Sequence, residues 1–374
     1  MKFSLKTSFF AVISFFFFIA SWVACTPKGD SSIHSEETIP VQTKVARLVF
    51  AGDLMQHTPQ IDAARNYTGG FDYSESFRYV KNIFEDADIA MLNLETTLTP
   101  YARYTGYPIF RSPAQLADAL QDMGIDIAVM ANNHICDNGR VGMEFTMNRL
   151  DSLGIAFTGA FVDSLQYQQR HPLMIETNGL RLALLNYTYD TNGMPVPAGA
   201  VVNQIDSTAI ANDLENIDRT HVDCIIVFFH WGDEYIRRPN QEQQMLAELC
   251  RQHGVEIVVG SHPHVIQPFE IHIDTDSVIR SVTVYSLGNF VSNQQDRYRN
   301  GGLIVTLDIR KTANEPIEIE PYYSPVWVHL PNYQILPVAV ADTLSMTDYQ
   351  RMVYQQFIED TRIHLEHNRV FMEK

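Results

Sequence analysis

Glu256-Ile257-Val258-Val259-Gly260-Ser261-His262-Pro263-His264-Val265 is the stretch on which the fold turns. Three apolar β-branched residues running into a glycine read as a buried strand that stops at a turn. Two histidines one residue apart, held by a proline at the strand's end, can point two imidazoles into one crevice. Strand ends in α/β sheets are where ligands bind, and neutral imidazole is the commonest side-chain metal ligand. Taken alone, the pair reads equally well as two histidines in a surface loop.

Working outward, the same pattern recurs. Residues 44–51 form an apolar run that ends in Gly52-Asp53-Leu54-Met55-Gln56-His57. Residues 88–92 end in Asn93-Leu94-Glu95, and residues 125–130 in Ala131-Asn132-Asn133-His134. Residues 223–229 end in His230-Trp231-Gly232-Asp233-Glu234, and residues 281–285 in Ser286-Leu287-Gly288-Asn289-Phe290. Between them lie helical patterns at 74–84, 142–153, 207–219 and 241–253. Another begins at Ser112-Pro113, with serine as cap and proline in the first turn, and stops at Gly124. Strands alternating with helices signal an α/β fold whose strands are covered on both faces. Asn178-Gly179 between two apolar runs predicts a hairpin. Residues 302–309 and 316–330 read as alternating strands, and 347–367 as a final helix capped by Ser345.

Composition narrows the function. With 27 Lys and Arg against 44 Asp and Glu, the formal net charge is −17, which excludes nucleic acid and other extended polyanions as partners held by bulk electrostatics. The four cysteines make no CxxC and no disulfide ladder; Cys224 and Cys250 fall in apolar positions and read as small core residues.

The N-terminus reads as a secretory signal over residues 1–25: Lys2 and Lys6, an apolar run at 9–23, then Trp22-Val23-Ala24-Cys25. The small residue before a cysteine and the polar stretch after it resemble a bacterial lipoprotein signal, with Cys25 as the lipidated residue. An uncleaved anchor helix is the rival; the apolar run is shorter than the about 20 residues a spanning helix needs. Either way the body is expected to be extracytoplasmic and anchored to the membrane, on the outer membrane if the cell is Gram-negative, since Thr26 follows Cys25. Residues 26–43 read as a polar tether, 44–335 as the main domain and 336–374 as a C-terminal helical extension.

The polar strand ends supply Asp, Glu, Asn and His and no cysteine. Such a mixed oxygen and nitrogen set suits Mn, Zn or Fe, as one or two ions. Each residue has a plain alternative: Asp53 could cap a helix, His230 could be a satisfied core histidine, and Glu95 could pair with Arg103 or Arg111. Coincidence at five strand ends, those that carry Asp53, Glu95, Asn133 with His134, His230, and His262 with His264, is less economical than one site.

These segments together, with Asp137, Gly139, Tyr235 and Gln267, resemble the CapA family, membrane-associated proteins of capsule and poly-γ-glutamate synthesis. That family is similar to the calcineurin-like metallophosphoesterases. The resemblance implies a four-layer α/β/β/α sandwich of the metallophosphoesterase type. It implies Asp53 and His264 as ligands of a first metal, Glu95 as the bridging carboxylate, and Asn133, His230 and His262 as ligands of a second. It implies His134 as general acid. His57, Glu234 and Asn289 are candidate substrate contacts. Met55 stands where the phosphoesterases carry a ligand histidine. Two functions follow: a metal-dependent hydrolase of a phosphoester or γ-glutamyl amide, or a non-catalytic subunit that binds polymer carboxylates within capsule or γ-glutamyl polymer machinery.

Overall fold

Alternate residues of each apolar run go to different cores. In the strand Thr43–Leu54, Val49 and Ala51 pack with Phe84, Leu116, Leu120 and Met147 from helical segments, while Leu48 and Phe50 pack with Leu184, Ile226, Phe228 and Val259. The strand Cys224–His230 gives Ile226 and Phe228 to that second core and Ile225, Val227 and Phe229 to a third, where Ile210, Leu214, Leu246 and Cys250 meet them. Three stacked cores define four layers: helices, sheet, sheet, helices. The expected α/β/β/α sandwich is therefore the observed architecture, and continuous apolar strands are its cause, because both of their faces are covered.

The computed structural model describes residues 43–313, 315–366 and 372–373. The described residues belong to one compact unit. The expected signal, tether and lipidated Cys25 lie outside the described residues, apart from Thr43, which opens the first strand. In the nine-stranded sheet, Thr43–Leu54, Ile89–Leu94, Ile127–Val129 and Ala156–Thr158 run parallel, and Gly301–Thr312, Glu318–His329 and Gln334–Pro337 extend it antiparallel. In the six-stranded sheet, Leu180–Thr188, Cys224–His230, Ile257–Ser261 and Ile279–Val284 are parallel. Among the described residues no helix is long and apolar enough to cross a membrane.

Several local expectations hold. Asn178 and Gly179 adopt φ of 49° and 76°, the left-handed pair that a tight hairpin requires, and Thr177 pairs with Leu180 across it. Others are corrected. The single helix expected over 74–84 is two short ones, Ser74–Phe77 and Lys81–Glu85. Phe77, Val80 and Phe84 all reach the same core, but three-residue turns (Val80 N–H to Phe77 O, Ile83 N–H to Val80 O) replace the helical bonds between them. Ser112 caps nothing: it lies in the short strand Arg111–Ser112 with its hydroxyl 2.6 Å from that of Thr96, and the helix begins at Gln115. The last helix, Asp348–Leu365, is capped by Thr347 rather than Ser345. Its Tyr354, Phe357, Ile358 and Leu365 bury in the core between the sheets.

Two glycines set how closely strands approach at the functional edge. A Cβ on Gly52 would lie 2.0 Å from Gly288 O, and Gly52 is where the first strand's register with Ile89–Leu94 shifts, a bulge that re-aims Asp53. A Cβ on Gly260 would lie 2.1 Å from Tyr285 O and 2.3 Å from Trp231 Nε1. Glycine there lets the strand carrying the histidine pair seat against its neighbours.

Candidate metal centre

The parallel strands of both sheets deliver their C-terminal ends to one place. Asp53 faces Asn93 and Asn289 in parallel register in the first sheet, and His230 faces Ser261 and Thr188 in the second. The sheets meet where Asp53 accepts a hydrogen bond from the His262 backbone N–H at 3.2 Å. Asp53, Glu95 and His230 are fully buried, and Asn133, His134, His262 and His264 nearly so.

Hydrogen bonding fixes several protons. His264 Nδ1 lies 3.1 Å from Asp53 Oδ2 and 3.0 Å from Asn289 Oδ1. The Asn289 amide nitrogen is spent on Arg299 O and Gln294 Oε1, so both neighbours of Nδ1 are acceptors and Nδ1 carries the proton. The Nε2 lone pair is left facing Glu95 Oε1 at 3.8 Å. A carboxylate orienting a histidine through its far nitrogen is the usual support of a metal-ligating imidazole. His230 Nε2 lies 3.0 Å from Asn133 Oδ1 and 3.7 Å from Glu95 Oε1. Its Nδ1 meets Asn93 Nδ2 at 3.2 Å and Ser261 Oγ at 3.1 Å; the Asn133 oxygen can only accept and the Asn93 amide nitrogen only donate, so Nε2 carries the proton and Nδ1 accepts.

Among the buried side-chain atoms left without hydrogen-bond partners are both Glu95 oxygens and His262 Nδ1. Buried polar groups are almost always hydrogen-bonded, and an orphan needs a reason. Ligand atoms of Glu95, His262 and His264 lie within 4.8 Å of one another, and so do those of Asp53, Glu95 and His230. The orphaned carboxylate is common to both groups, and the donor set of oxygen and imidazole nitrogen fits a divalent ion. Each group joins Glu95 to one residue from each of the two ligand sets that the resemblance implies: His262 with His264, and His230 with Asp53. His262 and His264 reach these positions through φ of 97° and 55°, conformations rare outside glycine and concentrated at functional sites.

Charge is divided unevenly. Burial pushes Asp53 up, but His264, Asn93 and His262 outweigh it and hold its pKa below the ordinary value. Burial, then the neighbouring Asp53, drives Glu95 well above its own. In the metal-free protein Asp53 therefore carries the charge and Glu95 the proton. Burial lowers His57 to about 4, His262 to about 3, and His230 well below 6.5.

These shifts give the metal-free protein a pH dependence. The unfolded chain protonates its histidines as pH falls below their ordinary 6.5, whereas the folded chain does not, so their contribution is intact above 6.5 and is lost as pH falls through about 4 and about 3. Glu95 acts oppositely: its folded pKa is raised, so its contribution falls as pH climbs above 4.5. Three histidines outweigh one carboxyl. Denaturation midpoints measured in chelator are expected to fall steadily from pH 6.5 to 4; a flat series would contradict these assignments.

The other expected residues find distinct places. His134 Nδ1 lies 2.8 Å from Asp137 Oδ2, and the ring is near enough to His57, His230 and His262 to act on each of them. His57 belongs to neither ligand group. It packs edge-on against Phe110, which packs in the same way on His134. Met55 is buried, and its soft thioether is a poor match for a divalent ion held by carboxylates and imidazoles. Glu234 is exposed, with its charge reaching Glu95. Asn289 orients His264 through Oδ1, and its amide nitrogen holds the following loop at Gln294 and Arg299. Sequence reading passed over Tyr189, whose ring lies 4.4 Å from that of His262 and 6.2 Å from that of His230. It follows the apolar strand Leu180–Thr188, so the strand-end rule that found the others would also have found it. Phe110 lies in a loop and carried no signal.

The family model described as bacterial capsule synthesis protein PGA_cap matches residues 47–294. The PGA biosynthesis protein CapA of Bacillus subtilis (strain 168) is 29% identical over 281 residues, covering 73% of this chain and 70% of that protein. The capsule biosynthesis protein CapA of Bacillus anthracis is 26% identical over 320 residues, 81% of this chain and 72% of that one. Among solved structures, the Haemophilus influenzae NAD nucleotidase aligns with a TM-score of 0.45 and 10% identity over 89% of this chain; the chain spans 57% of that protein's length. The family match opens in the strand that delivers Asp53 and closes just past the one that begins with Asn289; every segment that builds the centre falls inside it, and the chain belongs to the bacterial capsule synthesis protein family PGA_cap.

Proposed function

We propose that this chain is a membrane-anchored, extracytoplasmic protein of capsule or poly-γ-glutamate synthesis that uses a divalent-metal centre to hydrolyse a phosphoester or a γ-glutamyl amide. The observation that carries the reading is the orphaned Glu95 carboxyl between two groups of histidine nitrogens, with the His134–Asp137 pair beside it. Asp53, Glu95, Asn133, His230, His262 and His264 would hold one or two ions. A bound ion supplies Lewis acidity toward water and toward the phosphoryl or acyl oxygen. Asp53 and Asn289 keep the proton of His264 on Nδ1. Asp137 holds the Nδ1 proton of His134, whose imidazolium form delivers its other proton from Nε2 to the leaving oxygen or nitrogen as the P–O or C–N bond breaks, while water adds to phosphorus or carbon and releases a proton to solvent. His57 and Tyr189 line the approach. Phe110, fully buried between His57 and His134, fixes the distance between them.

The second reading is a carboxylate-binding subunit without turnover, and Met55 favours it, since a thioether in a ligand's place weakens one half of the centre. Elemental analysis of the purified protein, before and after exposure to Mn or Zn, tests the metal in both readings. Absence of metal in wild type, with none acquired, sinks both. Turnover of a phosphodiester or a γ-glutamyl peptide, lost in Asp53→Ala and His262→Ala, supports the hydrolase; metal without turnover supports the binder. The anchor rests on Cys25 after Ala24: Cys25→Ser is expected to move the protein from the membrane to the soluble fraction, and its retention in the membrane would point to an uncleaved helix.

A further inference from the structure

We propose that Arg299, stacked on Tyr235 at the rim of the centre, binds an anionic oxygen group of the substrate, carboxylate or phosphate, next to His264. The inference rests on the metal-centre reading above and adds to it the charge of what is bound. The Arg299 guanidinium lies 4.2 Å from the Tyr235 ring centroid, and that ring lies 6.1 Å from the His264 ring. The same arginine is tied to His264 through the main chain: its carbonyl accepts from Asn289 Nδ2 at 2.8 Å, and Asn289 Oδ1 lies 3.0 Å from His264 Nδ1. Tyr235 is fixed in turn by its backbone N–H, which donates to Pro263 O at 2.8 Å, inside the His-Pro-His segment.

Backbone strain marks the same place. Tyr235 has φ of 66° and Tyr298, just before Arg299, has φ of 75°; bulky residues are rarely held there without a reason. Arg237 and Arg297 stack on Tyr298 at 4.2 and 4.9 Å. Three arginines are thus gathered on two tyrosines at one rim of a chain whose formal net charge is −17. Arg237 and Arg297 are committed to the last helix, donating to the carbonyl and the carboxylate of Asp360 respectively. The Arg299 partner is Asp296, whose side chain is 71% exposed. A water-screened pair of that kind contributes little and exchanges readily for a ligand. A guanidinium fork matches carboxylate and phosphate alike. Burial and, after it, the exposed Glu234 close by raise the pKa of the Tyr235 hydroxyl, so the negative charge of Glu234 opposes an anion arriving there.

The test is calorimetric titration of the full chain with two probes, inorganic phosphate and γ-glutamylglutamate, with metal content measured on the same samples. Arg299→Gln is expected to weaken one or both probes by about tenfold or more at unchanged metal content, and the probe affected identifies phosphate or carboxylate. Arg299→Lys, which keeps the charge and loses the fork, falls between. Glu234→Gln is expected to tighten the same probe. Arg299→Gln binding both probes as tightly as wild type overturns the proposal. Repeating the titrations after chelation separates the two readings: a metal-free wild type whose affinity still depends on Arg299 leaves this proposal standing even where the metal centre fails.

Discussion

Glu95→Gln is expected to abolish metal uptake while leaving the metal-free protein as stable as wild type, within about 1 kcal/mol. The glutamine matches the carboxyl in shape and is neutral. In the metal-free fold Glu95 is already neutral, because burial and Asp53 hold its proton on, so little is lost. Metal requires the carboxylate and releases that proton on binding. Wild-type affinity should therefore rise with pH, while the variant shows neither uptake nor the thermal stabilisation that follows ligand binding. Elemental analysis and melting curves with and without Mn or Zn check both halves. Metal retained by Glu95→Gln would remove this residue from the ligand set. A large loss of stability without metal would mean the carboxyl is charged and paired in the resting protein.

His134→Gln is expected to cut turnover by about 10²–10⁴-fold, the range for loss of a general acid, with metal content unchanged. Its contacts set that separation: Nδ1 is held by Asp137, the ring packs edge-on against Phe110, and it belongs to neither candidate ligand group. Asp137→Asn should have a smaller effect on turnover, since an amide can still hold one tautomer. It should also lower stability by about 1–3 kcal/mol, because the same Asp137 oxygen accepts from the Phe110 N–H at 2.6 Å. Steady-state rates, with the metal assayed on each sample, decide it. Metal loss in His134→Gln would make this histidine a ligand.

That the strands lie in sheets covered on both faces was legible from the residues alone, for one physical reason, whereas the four-layer order was implied only by the family resemblance. A strand buried on both faces must be apolar throughout, so the runs at 44–51, 223–229 and 257–259 declared themselves. The polar residues that interrupt them, Asp53, His230 and His262, had to lie at ends. What misled was spacing that packing satisfies in another way. Phe77, Val80 and Phe84 reach one core without a continuous helix, and a buried Ser112 answers Thr96 in place of a helix terminus.

The sequence by itself determined which residues meet: Asp53, Glu95, Asn133, His134, His230, His262 and His264 stand at strand ends, and parallel strands in covered sheets bring their ends to one edge. Only the tertiary structure decided how they divide. It takes two sheets face to face to set Glu95 between histidines of both groups, and a left-handed backbone at His262 and His264 to turn both rings there. Neither the facing of the sheets nor the sign of φ is written in the spacing of residues. The His-Pro-His pair was visible from the start; that one of its members would be oriented by Asp53, 211 positions away in the chain, and by Asn289, while the other's Nδ1 was left without a partner, depends on the tertiary fold.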